Sequence, residues 1–544
     1  MIFVRRGNVF SIQCWLFRPW DNFNWRTTVY HPTLKARLTV ALCFSVLAFG
    51  ALNLRADVKL PSLFSDGLVL QQRMKVNIWG TADAGEQVTV TLGDQRVSAT
   101  ADSEGQWKVQ LGPLSPGGPF TMTVAGKNTL TLHDVLVGEV WVCSGQSNME
   151  MPVQGWGSGV INYQDEVAHG DHPMLHLFTV EKAVAGKPQR DVQGYWVTAR
   201  PQTVAEFSAV GYFFGRELLR VLNVPVGLIH SSWGGTPAEA WTSRGTLESD
   251  PAYQSILDAG SKLLSPYPKD FQDYAEQLEQ WRKDSDRAES SGEPVASPPA
   301  VPDDPRRNPW RPAGLFNAML MPLTSYAIRG AIWYQGESNA DRPAQYRKLF
   351  PAMITDWRRA WGEGDFPFLF VQLANWGIYS PHSNWPELRE AQLKTLSLPK
   401  TGMAVTIDIG DGSDIHPKNK QDVGYRLALA AQAIAYGRDV IYSGPIYDSM
   451  AVEGDKIRLR FKYVYGGLAT RNSSPNLSGF EIAGDDRKFA GAQARIDGDT
   501  IVVRSEKTPH PVAVRYAWGM NPSNNLYNRA GLPASPFRTD DWEE

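Results

Sequence analysis

Ser147 stands in "WVCSGQSNMEM" (141–151), where the apolar run Val140-Trp141-Val142-Cys143 breaks into a turn of small polar residues. A serine placed there offers a hydroxyl nucleophile at the tip of a strand. To react it needs a base, an acid that orients the base, and donors for an oxyanion. "SSWGGTPAEAW" (231–241) supplies Gly234 and Gly235, whose missing Cβ lets a backbone N–H approach a substrate oxygen. Pro237 beside them suits the first turn of a helix. "WYQGESNA" (333–340) supplies the amide donors Gln335 and Asn339. "DIGDGSDIHPKNK" (408–420) supplies Asp408, Asp411, Asp414 and a base, His416. Alone, each stretch has a bland reading: Gly-x-Ser is most often a turn, a lone histidine is usually structural, and paired glycines are common in loops. Together they specify serine acyl transfer far better than any one of them.

These residues must be held at the ends of strands. From Gly138 short apolar runs alternate with helical stretches. The expected strands are 139–144, 226–232, 327–335, 367–374 and 403–410, and the expected helices include 210–222, 344–361 and 420–437. Such alternation predicts a mainly parallel sheet with helices on both faces. In that architecture reactive groups sit beyond the carboxyl ends of the strands. Residues 57–137 and 438–544 instead alternate apolar and polar residues with Gly, Asp and Asn punctuation. They predict an N-terminal β-sandwich and a C-terminal β-domain. The alternation is broken at about 246–310 by a helical stretch, "FQDYAEQLEQWRKDSDRAE" (271–289), and a Pro-rich loop. This insertion is either a lid over the site or a solvated excursion.

The chain is 544 residues long with a net charge of −3, which gives no electrostatic case for nucleic acid or an anionic membrane. Lys35 and Arg37 precede an apolar stretch too short for a confident membrane span, with Ala56 as a small residue at a cleavage position. Residues 1–56 are therefore expected to be a leader, and the mature protein to be exported to the periplasm or beyond, without stable membrane insertion. Cys14 and Cys43 would leave with it, so Cys143 remains without a disulfide partner. No CxxC and no His/Cys cluster suggests a metal site. Among the 19 Trp, residues Trp156, Trp233, Trp241, Trp376 and Trp385 fall in or near the expected strand-end loops. Each is a candidate platform for a sugar ring or an ordinary core residue.

"GQSNM", "SWGGTPAEAW", "AIWYQGESNA" and "DIHPKNKQDVGYRLA" resemble the blocks of the sialate O-acetylesterase family, within the SGNH (GDSL-like) hydrolase superfamily. "PFLFVQLAN" and "LPSLFSDGLVLQQ" are also similar to family segments, so the resemblance covers nearly all of the chain from Leu60. It implies a flavodoxin-like three-layer α/β/α catalytic core at 138–437, flanked by the N-terminal and C-terminal β-sandwich domains. It implies removal of acetyl groups from sugar hydroxyls without metal or cofactor. Carried over, Ser147 is the nucleophile, His416 the base, and the Ser147 and Gly235 N–H groups enter the oxyanion hole. Gln335 is the expected third donor, with Asn339 second. Wider-superfamily members carry Asp three residues before the histidine, but that position here is Ser413. Asp414 is the expected acid and Asp411 the fallback. An O-acetylated sugar is the expected partner: sialic acid, or a plant glycan such as xylan or xyloglucan. A non-catalytic carbohydrate-binding protein is the reading from another class, and the intact Ser147 and His416 argue against it.

Overall fold

A computed structural model describes residues 57–377 and 384–542. The expected leader at 1–56 lies outside the described residues. Seven strands along the main path of an eleven-stranded sheet carry the candidate site. They are β1 (Thr129–Gly145), β2 (His172–Thr179), β3 (Trp196–Ala199), β4 (Val226–Ser232), β5 (Gly330–Tyr334), β6 (Phe368–Val371) and β7 (Thr401–Ala404). Their spatial order is β7-β6-β5-β1-β4-β2-β3. All neighbours are parallel except the edge strand β3, which runs antiparallel to β2.

The order follows from the sequence pattern. Val140, Trp141, Val142 and Cys143 of β1 are all buried, as a strand covered on both faces requires. The helices of the chain include α1 (Ser147–Glu150), α2 (Ala209–Leu222), α3 (Tyr267–Ser291), α4 (Pro343–Trp361), α5 (Trp385–Lys394) and α6 (Lys420–Ile434). Trp141 meets Phe214 of α2, with ring centroids 5.0 Å apart, and α6 packs beside α2. On the opposite face Trp333 of β5 meets Phe350 and Trp357 of α4, which packs against α5. α2 starts where the Ser208 hydroxyl accepts the Gly211 N–H at 3.1 Å and stops at Asn223, which adopts a left-handed conformation.

β1 is longer than expected. Residues 129–137 pair antiparallel with Gly117–Ala125, and residues 139–145 pair with β4. One strand of 17 residues therefore runs from the N-terminal strand group into the parallel sheet, with no loop at the expected 137/138 boundary. N-terminal to it, Val76–Thr81 pairs with Gln106–Leu111, and Gln87–Leu92 pairs with Gln95–Thr100 and Gly117–Ala125. After α6 come two four-stranded sheets and one two-stranded sheet, spanning Ile446 to Arg538.

β2, β3 and α5 were not foreseen. β7 ends at Ala404, well short of the expected 410, because the following residues leave the sheet to carry Asp408–His416. α3 buries no residue fully, and its ion pairs run along the helix, for example Lys269–Asp273 and Glu279–Lys283. Among the described residues no hydrogen bond or ion pair joins α3 to the loops of Ser147 or His416. Among the described residues, no helix is long and apolar enough to cross a membrane.

Candidate active site

β1 is the point where the chain changes direction in the sheet: β2 and β4 are added on one side of it, β5, β6 and β7 on the other. Open parallel sheets form a crevice at such a point. The ends of β4, β1 and β5 deliver the Gly234 turn, Ser147 and Gln335 side by side. Gly145 makes the turn tight. Its φ is +140°, and a Cβ there would lie 2.1 Å from the Tyr334 carbonyl oxygen. The backbone bends against β5, and Ser147 begins α1 half-exposed.

Gly234 lies against the nucleophile: a Cβ on it would come within 3.3 Å of the Ser147 Cβ. Its N–H donates to the Glu150 carboxylate at 2.5 Å. Gly235 is left-handed at φ +73°, with open space around the position of an added Cβ. Among the described residues, the N–H groups of Ser147 and Gly235 have no acceptor in the protein. Pro237 precedes a short 3-10 turn, Ala238–Trp241.

Gln335 and Asn339 are buried, and their amides are engaged within the protein. Gln335 Nε2 donates to the Thr236 carbonyl at 3.3 Å and to Asn339 Oδ1 at 2.7 Å, while its Oε1 accepts the Tyr346 hydroxyl. Asn339 Oδ1 also accepts the Ala238 N–H, and its Nδ2 donates to Glu239. The obligatory acceptors and donors around them fix both amide orientations. Both Gln335 amide hydrogens are thus already given to protein oxygens. The network fastens the turn after β4 to the turn after β5.

His416 is reached from the sheet edge. Asn148, next to the nucleophile, donates Nδ2 to the Ile415 carbonyl at 3.0 Å and to Glu337 Oε1 at 2.6 Å. Its Oδ1 accepts from Lys420 Nζ at 2.5 Å. Asn148 therefore bridges the loop of the nucleophile to the loop of the histidine. The Lys420 amine is buried over the Tyr334 ring, and burial pulls its pKa down to about 7. Burial likewise raises the Glu337 carboxyl above its ordinary value. No motif in the sequence singled out Asn148, Glu150 or Lys420. The one available signal was their position inside the same blocks as Ser147 and His416.

Asp414 Oδ1 accepts the His416 backbone N–H at 2.8 Å and lies 3.7 Å from His416 Nδ1, an electrostatic contact longer than a hydrogen bond. Asp411 is turned to Ser413, accepting its N–H at 2.8 Å and its hydroxyl at 2.7 Å. Asp408 is held by Arg426 and Tyr527. Burial first, and the Lys420 charge second, lower the His416 pKa, while Asp414 acts in the opposite direction.

The five tryptophans separate. Trp241 and Trp385 are core residues, their indole N–H groups donated to Thr236 Oγ1 and the Ala374 carbonyl. Trp233 and Trp376 are half-buried. Trp156 is 53% exposed and stands perpendicular to the His416 ring, with centroids 5.3 Å apart.

A mainly parallel α/β sheet thus carries a serine turn at its switch point, joined through Asn148 to the loop of a histidine. Residues 308–434 match the family described as carbohydrate esterase, sialic acid-specific acetylesterase. A carbohydrate acetylesterase from Xanthomonas citri is 39% identical. The match covers 89% of this chain and 100% of that one, with a TM-score of 0.76. The sialate O-acetylesterase of Rattus norvegicus is 34% identical over 85% of this chain and 90% of its own length. That of Homo sapiens is 29% identical over 92% of this chain and 96% of its own. The chain belongs to the sialate O-acetylesterase family.

Proposed function

We propose that this enzyme is a carbohydrate O-acetylesterase that removes acetyl groups from sugar hydroxyls through a Ser147 acetyl-enzyme. The observation that carries the reading is the meeting of Ser147 with the His416 loop through Asn148, at the switch point of the sheet. His416 takes the Ser147 proton as the Ser147 oxygen attacks the acetyl carbonyl. The Ser147 and Gly235 N–H groups hold the oxyanion, and Asp414 stabilises the imidazolium. The C–O bond to the sugar then breaks, and His416 returns the proton to the departing sugar oxygen. Water, deprotonated by His416, attacks the acetyl ester and releases acetate and Ser147. Base catalysis of this kind contributes about 10²–10⁴-fold and each oxyanion donor about 10²–10³-fold. Gln335 and Asn339 belong to the same oxyanion region as its bracing network.

In this reading the sheet of β1–β7 and its helices form the flavodoxin-like SGNH core at 138–437, with the helix-and-loop insertion at 246–310. The strand groups at 57–137 and 438–544 are flanking β-sandwich domains. Residues 1–56 are a leader, and the mature enzyme is exported. Two substrates are carried. The relatives named sialate O-acetylesterase favour O-acetylated sialic acid. The protein that is 39% identical is named only a carbohydrate acetylesterase, with no sugar specified, so a plant glycan such as acetylated xylan or xyloglucan is the second substrate to test. Acetate release from acetylated sialic acid, xylan and xyloglucan tests both. Wild type is expected to release acetate from at least one, and Ser147→Ala from none. An active Ser147→Ala enzyme ends the serine mechanism.

A further inference from the structure

The turn after β4 is gripped from the helix that carries the nucleophile. Glu150 follows Ser147 by three residues, so both belong to the single turn of α1. One Glu150 oxygen accepts the Gly234 N–H at 2.5 Å, and the other accepts Lys182 Nζ at 2.5 Å. Lys182 also lies over the Trp233 ring, 5.4 Å from its centroid. Two consecutive residues of the turn, Trp233 and Gly234, are therefore faced or fixed by this pair, while Gly235 opens to free space.

Two consequences follow from the chemistry. The Gly234 N–H is given to a carboxylate, a strong charge-assisted bond, and is not available to a substrate. That bond sets the plane of the peptide before Gly234 and so constrains the next one, whose N–H is that of Gly235. The same carboxylate brings negative charge beside the place where an oxyanion develops, which opposes the reaction. Lys182 cancels that charge.

We propose that Glu150 is a positioning residue of the oxyanion turn, holding Gly234 so that the Gly235 N–H faces the reacting carbonyl, and that Lys182 neutralises the charge Glu150 introduces. The inference rests on the acetylesterase reading above. Glutamine at 150 keeps an oxygen for the Gly234 N–H and removes the charge. It therefore separates the grip from its neutralisation.

The test uses the full-length enzyme with p-nitrophenyl acetate, measuring kcat, KM and melting temperature for wild type, E150A, E150Q, K182M and the E150Q/K182M double variant. E150A is expected to lower kcat about tenfold or more with KM changed less than about twofold, since the loss is confined to the transition state. E150Q is expected to recover most of that kcat. K182M is expected to lower kcat several-fold (roughly three- to tenfold) in the wild-type background and to have little effect in E150Q, a coupling that a purely structural lysine does not produce. Equal K182M losses in both backgrounds, E150Q as impaired as E150A, or wild-type kcat in E150A overturns the proposal. An inactive wild type, or an active Ser147→Ala control, overturns the esterase reading itself and the inference with it.

Discussion

Two residues whose types are right for catalysis differ in what surrounds them. Asp411 and Asp414 both precede His416, yet only Asp414 touches it, through the backbone N–H and at 3.7 Å from the ring. Asp411 spends its accepting oxygen on Ser413. Asp414→Ala is therefore expected to lower kcat by about 10²-fold or more, and Asp411→Ala much less, in steady-state hydrolysis of p-nitrophenyl acetate. A larger loss at Asp411 would move the acid there. Gln335 gives a second contrast. As a brace it leaves the Thr236 carbonyl and the Tyr346 hydroxyl short of partners when removed, while Asn339 Oδ1 keeps the Ala238 N–H. Each buried group left unpaired costs about 1–3 kcal/mol. Gln335→Ala is expected to lower the urea midpoint clearly. A variant with wild-type stability and a selective kcat loss would instead make Gln335 a direct oxyanion donor.

At the scale of elements, the start of α6 controls the histidine. Lys420, its first residue, sits under the loop of His416 and donates to Asn148. His416 must be neutral to take the Ser147 proton, so kcat/KM rises as pH climbs through its pKa. Burial and then Lys420 hold that pKa below the ordinary histidine value, so the acid limb is expected below about 6.5. Removing the lysine charge removes a contribution that lowers the pKa. Lys420→Met is therefore expected to move the acid limb to higher pH in a kcat/KM profile. An unmoved or more acidic limb refutes the coupling.

At the scale of the molecule, the C-terminal strands support the site. Arg389 of α5 is fully buried and joins the Leu373 and Ala374 carbonyls, beyond β6, to the Gly519 and Met520 carbonyls. Asn524 donates to the Ile407 carbonyl, and Asn521 accepts from Asn375, whose own Oδ1 accepts the Gly410 N–H. The loop from β7 to His416 thus rests on residues 519–524. A chain ending at Gly437 is expected to lose hydrolysis of p-nitrophenyl acetate and to melt at lower temperature than the full chain. Retained activity would show that the histidine loop holds itself.

Periodicity and composition by themselves determined most of the α/β order. The buried run Val140–Cys143, the amphipathic stretches that became α2, α4 and α6, and the turn chemistry at Gly145 and Gly234–Gly235 are local properties, readable without neighbours. Ser147 and Gly235 stand out for the same reason, since each lies just past an apolar strand, whereas His416 lies on the long loop between β7 and α6. The tertiary structure alone decided whatever depends on partners distant in sequence. It gave Gly234 to Glu150 and Gln335 to Thr236 and Asn339, although a free amide and an engaged one are spelled identically. It chose Asp414 over Asp411 as the carboxylate beside His416, because hydrogen-bond partners and not spacing set where a side chain turns. It put Trp241 and Trp385 into the core and left Trp156 exposed, since burial is a property of the packed molecule. It also carried β1 through the expected boundary, because a strand ends where its pairing ends and pairing partners lie elsewhere in the chain.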